Sequence, residues 1–341
     1  MSIEEKNPRL ELEFIAPRLL EIFNKNKEPS DNYTVSIDND TVIIYNNGVD
    51  CINIDEPEYT EKNYILIIGY VSKCNEQKSG TTNVRNLIEF GLKYGYDRID
   101  LVNIAAIKIT INDRDQEDVS DTIITIDLTK FKLLTFGNSW YSQFGFENRN
   151  TISNHIKLQE FINSPFSFLI DKLNVYLDEY VALNLISEFN SNTIKTDFLL
   201  NIKSYIFLFN KYFHLGIDED LELNLQIAET FNLLFRSIMT KYSTINNPDS
   251  SKEEKTDFIA EVVRFTSFMN YILSTIIRIC FSKPLLPNDK ILTNFLQNYK
   301  LLTLNLKTIV INPKTSGGKS TKRNYTKQKY TKQKSKKYQR K

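Results

Sequence analysis

Residues 73 to 83 read Lys-Cys-Asn-Glu-Gln-Lys-Ser-Gly-Thr-Thr-Asn. An apolar run, Tyr64 to Val71, leads into them, and a helix-like stretch, Val84 to Lys93, leads out. Strand, glycine- and hydroxyl-bearing loop, then helix is an order that can hold phosphate. The first N–H groups of a helix point outward, and the helix dipole favours negative charge there. Gly80 would let the backbone approach a diphosphate. Ser79, Thr81 and Thr82 would add hydroxyl donors, with Gln77 and Lys78 just ahead of them. The plainer alternative is a turn between a buried strand and a helix, with Thr82 or Asn83 as its N-cap.

Other chemistry is sparsely provided. Cys51, Cys74 and Cys280 lie far apart, with no CxxC pair, so neither a disulfide framework nor a zinc site is expected. Cys74 has no histidine near it in sequence and reads as a small apolar residue. His155 and His214 are the two histidines, too few for a histidine-built metal centre. The segment 315–320, Thr-Ser-Gly-Gly-Lys-Ser, ends like a Walker loop. The first glycine of that motif is replaced by Pro313, and no strand precedes it, so it is not read as a nucleotide site.

The elements that must position the loop follow from periodicity. A helix is expected around Leu10 to Asn24, interrupted by Pro17. Strands are expected at Tyr33–Ile37, Thr41–Tyr45, Cys51–Ile54 and Tyr64–Val71, joined by Asn/Asp/Gly turns as an antiparallel meander. Val84, Leu87, Ile88, Gly91 and Leu92 fall on one helix face, and Gly95 is placed to end that helix. Arg98–Val102 then reads as a strand, which completes a β-α-β unit with parallel pairing. Two further strand-like runs, 104–111 and 122–128, flank an acidic stretch, and Leu128–Phe136 is helix-compatible. From about residue 156 the pattern turns helical, near 156–181, 195–214, 220–242, 252–281 and 288–308, with Ser251 and Glu254 as a capping box. The most apolar of these, Ile259–Phe281, carries Glu261, Arg264 and Arg278 and is read as a buried helix rather than a membrane span.

The loop and its flanks resemble the acyl-coenzyme A binding unit of the GNAT-type N-acetyltransferases. In that family a central strand ends in a Q/R-x-x-G-x-G/A loop, followed by a helix and a splayed parallel strand. Gln77, Gly80 and Thr82 match the loop, with Thr82 in place of a small final residue. The segment 140–146, Trp-Tyr-Ser-Gln-Phe-Gly-Phe, is similar to the family's aromatic-Tyr-x-x-x-Gly-Phe stretch through Tyr141, Gly145 and Phe146. The resemblance spans at most residues 1–150 and implies acetyl-CoA as cofactor. It places Gln77, Lys78, Ser79, Gly80, Thr81 and Thr82 on the diphosphate and makes Tyr141 the catalytic acid that protonates the departing thiolate. The alternative for Tyr141 is a core aromatic packed on Trp140 and Phe146. The family pattern identifies no general base; Glu76 and Asp100 are candidates by proximity alone. The arrangement, with its Lys-rich end, also resembles proteins of giant DNA viruses.

The charge distribution adds a second theme. Of 43 Lys and Arg residues, 12 lie in 314–341, which holds no acid; the remaining 31 face 42 acidic residues, a net of −11. The low-complexity end repeats Tyr-Thr-Lys-Gln-Lys twice and is expected to be disordered alone. Dense lysine interleaved with tyrosine suits electrostatic contact with nucleic acid or another acidic surface, or a solubility or targeting segment. The expected whole is an α+β chain: an acetyltransferase-like mixed sheet with helices over 1–150, an all-α bundle over 151–312 and a basic tail over 313–341. Two functions are compatible with it. One is acyl transfer from acetyl-CoA to an amine. The other is a catalytically inactive interaction protein, with the bundle for protein partners and the tail for nucleic acid or nuclear entry. Neither a signal peptide nor a membrane span is expected, which points to the cytoplasm or nucleus of a host cell, or to a virion.

Overall fold

The structure is a computed structural model; it describes residues 8–72, 80–102, 106–111, 122–147, 151–218, 221–245, 247, 250–281, 288–297 and 301–309. It is an α+β chain, with a mixed six-stranded sheet and helices first and a helical region after it.

Leu12–Lys25 forms α1, which buries Leu12, Ile15, Ala16, Leu19, Ile22 and Phe23 along one stripe and tolerates Pro17 inside it. Four strands follow as an antiparallel meander: β1 (Tyr33–Asp38), β2 (Thr41–Asn46), β3 (Val49–Thr60) and β4 (Asn63–Val71). The turns place Asn39, Asp40 and Asn47 at positive φ, a conformation that short polar side chains tolerate. Thr81–Lys93 is α2; it ends before Gly95, whose φ of +72° is the left-handed conformation that glycine supplies. Strand β5 (Arg98–Val102) then pairs in parallel with β4. Helices α1 and α2 lie against each other on the sheet, joined by Lys25–Glu89 (2.9 Å) and Lys93–Glu21 (3.1 Å).

The sheet does not end with β5. A strand near the end of the described chain, β8 (Leu301–Asn305), pairs antiparallel with β5, from Arg98↔Asn305 to Val102↔Leu301. The sheet order is therefore β1-β2-β3-β4-β5-β8, and everything between β5 and β8 is inserted between two neighbouring strands. The helix expected over 288–308 is in fact a helix, α9 (Asn288–Gln297), followed by this strand. Leu302, Leu304 and Leu306 are buried at every second residue, the period of a strand.

Asp97 anchors the junction. Its carboxylate accepts the Tyr64 N–H (2.8 Å) and pairs with Lys307 (3.0 Å); its own N–H donates to the Tyr64 carbonyl (2.9 Å), and its carbonyl accepts the Leu306 N–H (3.0 Å). The starts of β4 and β5 and the end of β8 thus meet on one residue. Gly91 belongs to the same closure: a Cβ there would stand 2.7 Å from Leu306 Cδ1.

The insertion opens with a hairpin, β6 (Ala106–Ile111) and β7 (Thr122–Asp127), and then α3 (Leu128–Phe136), capped by the Asp127 carboxylate on the N–H groups of Thr129 and Lys130. The segment expected as one helix over 156–181 is two, α4 (Thr151–Ile162) and α5 (Phe166–Ala182), because Pro165 stops the first register. Helix α6 (Glu188–Phe213) begins earlier than expected, capped by Ser187. Then come α7 (Ile227–Ile245) and α8 (Lys252–Phe281). The capping box at the head of α8 is formed: Ser251 N–H donates to Glu254 (3.0 Å) and Glu254 N–H to Ser251 Oγ (3.2 Å). Phe268 of α8 is the hub, with ring centroids at 4.7 Å from Tyr205, 5.0 Å from Phe231, 5.9 Å from Phe166 and 6.1 Å from Phe209. Buried Glu261 pairs with Arg264 on the same helix. Ile109, Ile111, Ile126 and Phe131 belong to this helical core. Among the described residues, no helix is long and apolar enough to cross a membrane.

Replacing Asp97 by Ala removes the hydrogen bond from Tyr64 N–H and the exposed Lys307 pair at the β4–β5–β8 junction and is expected to cost about 1 kcal/mol at neutral pH. Burial alone would raise the Asp97 carboxyl pKa, but the Tyr64 N–H and Lys307 outweigh it and hold it below its ordinary value. A lowered folded-state pKa stabilises above the unfolded value, about 4, and that contribution is lost as pH falls through the folded value. Denaturant titrations at pH 7 and pH 3 should therefore show a wild-type advantage over Asp97→Ala that shrinks at the lower pH.

Candidate functional site

The site is the open end of the parallel pair. Strands β4 and β5 pair from Ile65↔Arg98 to Ile68↔Leu101. Strand β4 continues through Gly69, Tyr70 and Val71, which have no β5 partner among the described residues, while β3 follows it, with Asn53↔Tyr70 and Ile52↔Val71. At the same point β4 carries a bulge. Asn53 faces Tyr70 and Ile54 faces Ile68, so Gly69 is the extra residue. A bulge re-aims the chain and disrupts the ladder locally. A Cβ on Gly69 would lie 2.5 Å from Asn53 Oδ1, which explains a glycine here.

The mouth of this gap is the N-terminus of α2. Gly80 is its N-cap and brings no side chain to the helix end, and no acid stands in its first turn. Its leading N–H groups have no acceptor within the helix. Buried Asn83 donates to the Ser72 carbonyl (3.0 Å), and Ser72 N–H donates to the Cys51 carbonyl (2.7 Å), so both stems of the intervening loop are fixed. Of the residues expected on a diphosphate, Gly80, Thr81 and Thr82 stand in this first turn, each partly exposed. Gln77, Lys78 and Ser79, with Cys74 and the candidate base Glu76, lie outside the described residues. Gly80 itself is in ordinary right-handed backbone with φ −54°, and a Cβ on it would meet Trp140 Cη2 at 3.5 Å. An alanine fits there; a larger side chain meets the indole.

Trp140 brings the second motif to the same place. The 3-10 turn Trp140–Phe144 ends at Gly145 with φ +91°, and Glu147 bridges Thr303 of β8 through two hydrogen bonds of 2.9 Å. The sheet's outer edge thereby sets the turn beside the head of α2. Tyr141 is fully buried, 4.9 Å from Trp140 and 6.1 Å from Phe146 by ring centroids. Its hydroxyl has no hydrogen-bond partner among the described residues, and burial pushes the phenol pKa well above its ordinary value.

Asp100 is accounted for structurally. Its carboxylate takes Arg98 Nη2 at 2.8 Å and Thr303 Oγ1 at 2.9 Å, which ties β5 to β8. Sequence reasoning passed over Asp50 and Tyr70. The Tyr70 hydroxyl donates to one Asp50 oxygen, while the other is buried without a partner. Burial, then the Asp50 contact, raises the Tyr70 pKa. The pair joins residues 20 apart on β3 and β4, so only the strand register reveals it. Cys51, fully buried on β3, is disulfide-bonded, which the sequence reading did not expect, and Cys280 is a free thiol. His214 is an exposed left-handed C-cap of α6. Among the described residues no group of three or more His, Cys, Asp or Glu is placed to hold a metal ion.

No family model matches the chain, and neither the curated proteins nor the solved structures contain a significant match to it.

Removal of the Tyr141 hydroxyl tests its standing in the fold. Because that oxygen is buried and unpartnered, Tyr141→Phe should leave stability unchanged or raise it by up to about 1 kcal/mol. Tyr141→Ala should lower it by about 3–5 kcal/mol. Thermal unfolding of both variants decides the point.

Proposed function

We propose that the N-terminal sheet binds an acyl-coenzyme A and that the chain is a diverged, GNAT-like N-acyltransferase. One observation carries the reading: among the described residues the parallel β4–β5 ladder ends at Ile68↔Leu101 while β4 runs on, bulged at Gly69, toward the head of α2. Unpaired strand backbone can take an extended, amide-bearing ligand arm. A helix N-terminus can take its phosphates. The order α1, antiparallel β1–β4, α2, parallel β5 agrees with the same reading. The first turn of α2 fits an anion, since it holds no acid and carries the hydroxyls of Thr81 and Thr82. Trp140 brings an indole edge beside Gly80 at the mouth.

Bound acyl-CoA would supply the activated thioester. The chain's own residues then have three tasks. The head of α2, with Gly80, Thr81 and Thr82, holds negative charge. The β4 backbone around Gly69 orients the acyl arm. Tyr141, next to Trp140, is the candidate proton donor to the leaving sulfur.

A second reading has its own support. Tyr141 is fully buried, with its hydroxyl unpartnered, and so is closed to substrate in this conformation. That favours a fold kept for interaction, with chemistry absent. The 12 basic residues of 314–341 would then serve nucleic acid or nuclear entry.

Calorimetric titration of the full chain with acetyl-CoA separates these readings. Micromolar binding that Gly80→Glu abolishes supports the site, since that change puts a carboxylate and bulk at the anion end. Absence of binding at millimolar ligand removes the acyl-CoA reading. If binding is found, Tyr141→Phe distinguishes enzyme from binder: turnover against a panel of amines should fall by about 10²–10⁴-fold if the phenol is the acid, with affinity unchanged. For the tail, deletion of 314–341 should abolish retention on DNA or RNA at low salt, and unchanged retention would remove that use.

A further inference from the structure

Helix α6 is an outer helix of the bundle, packed on α5, α8 and the short turn Glu222–Asn224. Its inner stripe is Phe198, Ile202, Ile206 and Phe209, all buried. The opposite stripe is not polar. Phe189 is 78% exposed, Leu200 57% and Phe207 48%. With Thr193, Thr196 and Lys203, also exposed, they recur in alternating steps of four and three, the spacing of a coiled-coil seam. The seam runs about 27 Å along the helix at 1.5 Å per residue. Leu183 and Leu185, 67% and 60% exposed, extend it past the N-terminus of α6.

The charges on α6 indicate what covers this face. A second copy packed antiparallel about a twofold axis at Leu200 pairs each residue with the one equally far on the other side of 200. Leu200 then meets itself, Thr196 meets Ser204, and Thr193 meets Phe207. Asp197 meets Lys203, and the symmetry makes that pair twice. The other exposed charged residues of α6 find no like charge opposite: Glu188 is opposite Tyr212, and Lys211 is opposite Phe189, where a cation can sit on a ring, while Lys195 is paired with Asp178 of its own chain. Asp197 has no ion pair within its own chain among those seen in the described residues, while Lys203 reaches Glu222 at 3.2 Å and is still 46% exposed. A helix face with Leu200 at its centre, Phe189 and Phe207 toward its ends, and an Asp197–Lys203 pair completed by its own rotated copy fits a like partner.

We infer that α6 is a homodimer interface, antiparallel, with Leu200 on the twofold axis. This assignment does not depend on what the strand gap binds. A single helix pair covers less than the roughly 800 Å² per partner of a standard interface, so the dimer is weak and reversible.

Sedimentation equilibrium of the full chain from about 1 to 200 µM should show this dimer. Leu200→Glu and Asp197→Lys should each move the midpoint at least about tenfold upward. Both sites are on the exposed face, so thermal unfolding should be unaltered. Leu200→Cys should give a disulfide-linked dimer on mild oxidation, whereas Thr196→Cys, which lies off the axis, should not exceed wild type. A wild-type chain that stays monomeric throughout, a dimer indifferent to Leu200→Glu, or equal cross-linking of the two cysteine variants overturns the assignment. The first of these outcomes would leave the face to a different protein.

Discussion

The pairing of β8 with β5 is the constraint on which the rest of the molecule depends. It joins strands separated by roughly 200 residues, and it makes the helical region an insertion between sheet neighbours. Loop closure grows only logarithmically with length. A flexible loop of about 200 residues costs about 1.2 kcal/mol more to close than one of about 50. A folded insertion whose ends lie close together costs less. Local interactions at the seam therefore suffice: the Asp97 cluster at one end, Asp100 between Arg98 and Thr303 in the middle, and Leu306 seated against Gly91 of α2. Polar groups fix the register and leucines seal it. Without this strand, β5 would be an open sheet edge with unpaired backbone groups.

The insertion has its own core, built around α8. A 30-residue helix with buried positions on several sides cannot be stable alone. It is surrounded by helices that contribute both aliphatic and aromatic side chains, and Phe268 touches rings from α5, α6 and α7. Aromatic rings supply large apolar area per residue, which suits a chain with 22 Phe and 18 Tyr. The hairpin β6–β7 and α3 contribute to this core although they precede the long helices in sequence. The change from strand-rich to helix-rich sequence therefore does not coincide with the change of core.

What the sequence revealed was what short range decides. The meander, the β-α-β unit, the stop at Gly95 and the capping box at Ser251 and Glu254 are all set by residues within a few positions of one another. The long-range features were hidden. Residues 301–306, Leu-Leu-Thr-Leu-Asn-Leu, are too short to distinguish a helix end from a strand, and only β5 decides for the strand. The bulge at Gly69 and the Asp50–Tyr70 contact are products of register. The site was legible as a loop but not as a gap. The stretch between Ser72 and Asn83 announced itself by residue type, whereas the end of the β4–β5 ladder at Ile68↔Leu101 could not be read from either strand.

The same seam couples the gap to the insertion. The Trp140–Phe144 turn is held on one side by Glu147 on Thr303 and reaches the head of α2 on the other. Gly145, at the end of that turn, has room for no Cβ that would not press within 3.2 Å of Leu304. The turn therefore rests directly on β8. Trp140, whose indole stands beside Gly80, belongs to a turn pinned to the strand that closes the sheet. Tyr141 is carried by the same turn, its ring set against Trp140 and Phe146. Its burial and the closure of the sheet thus meet in one short segment, bridged to β8 through Glu147 and Thr303.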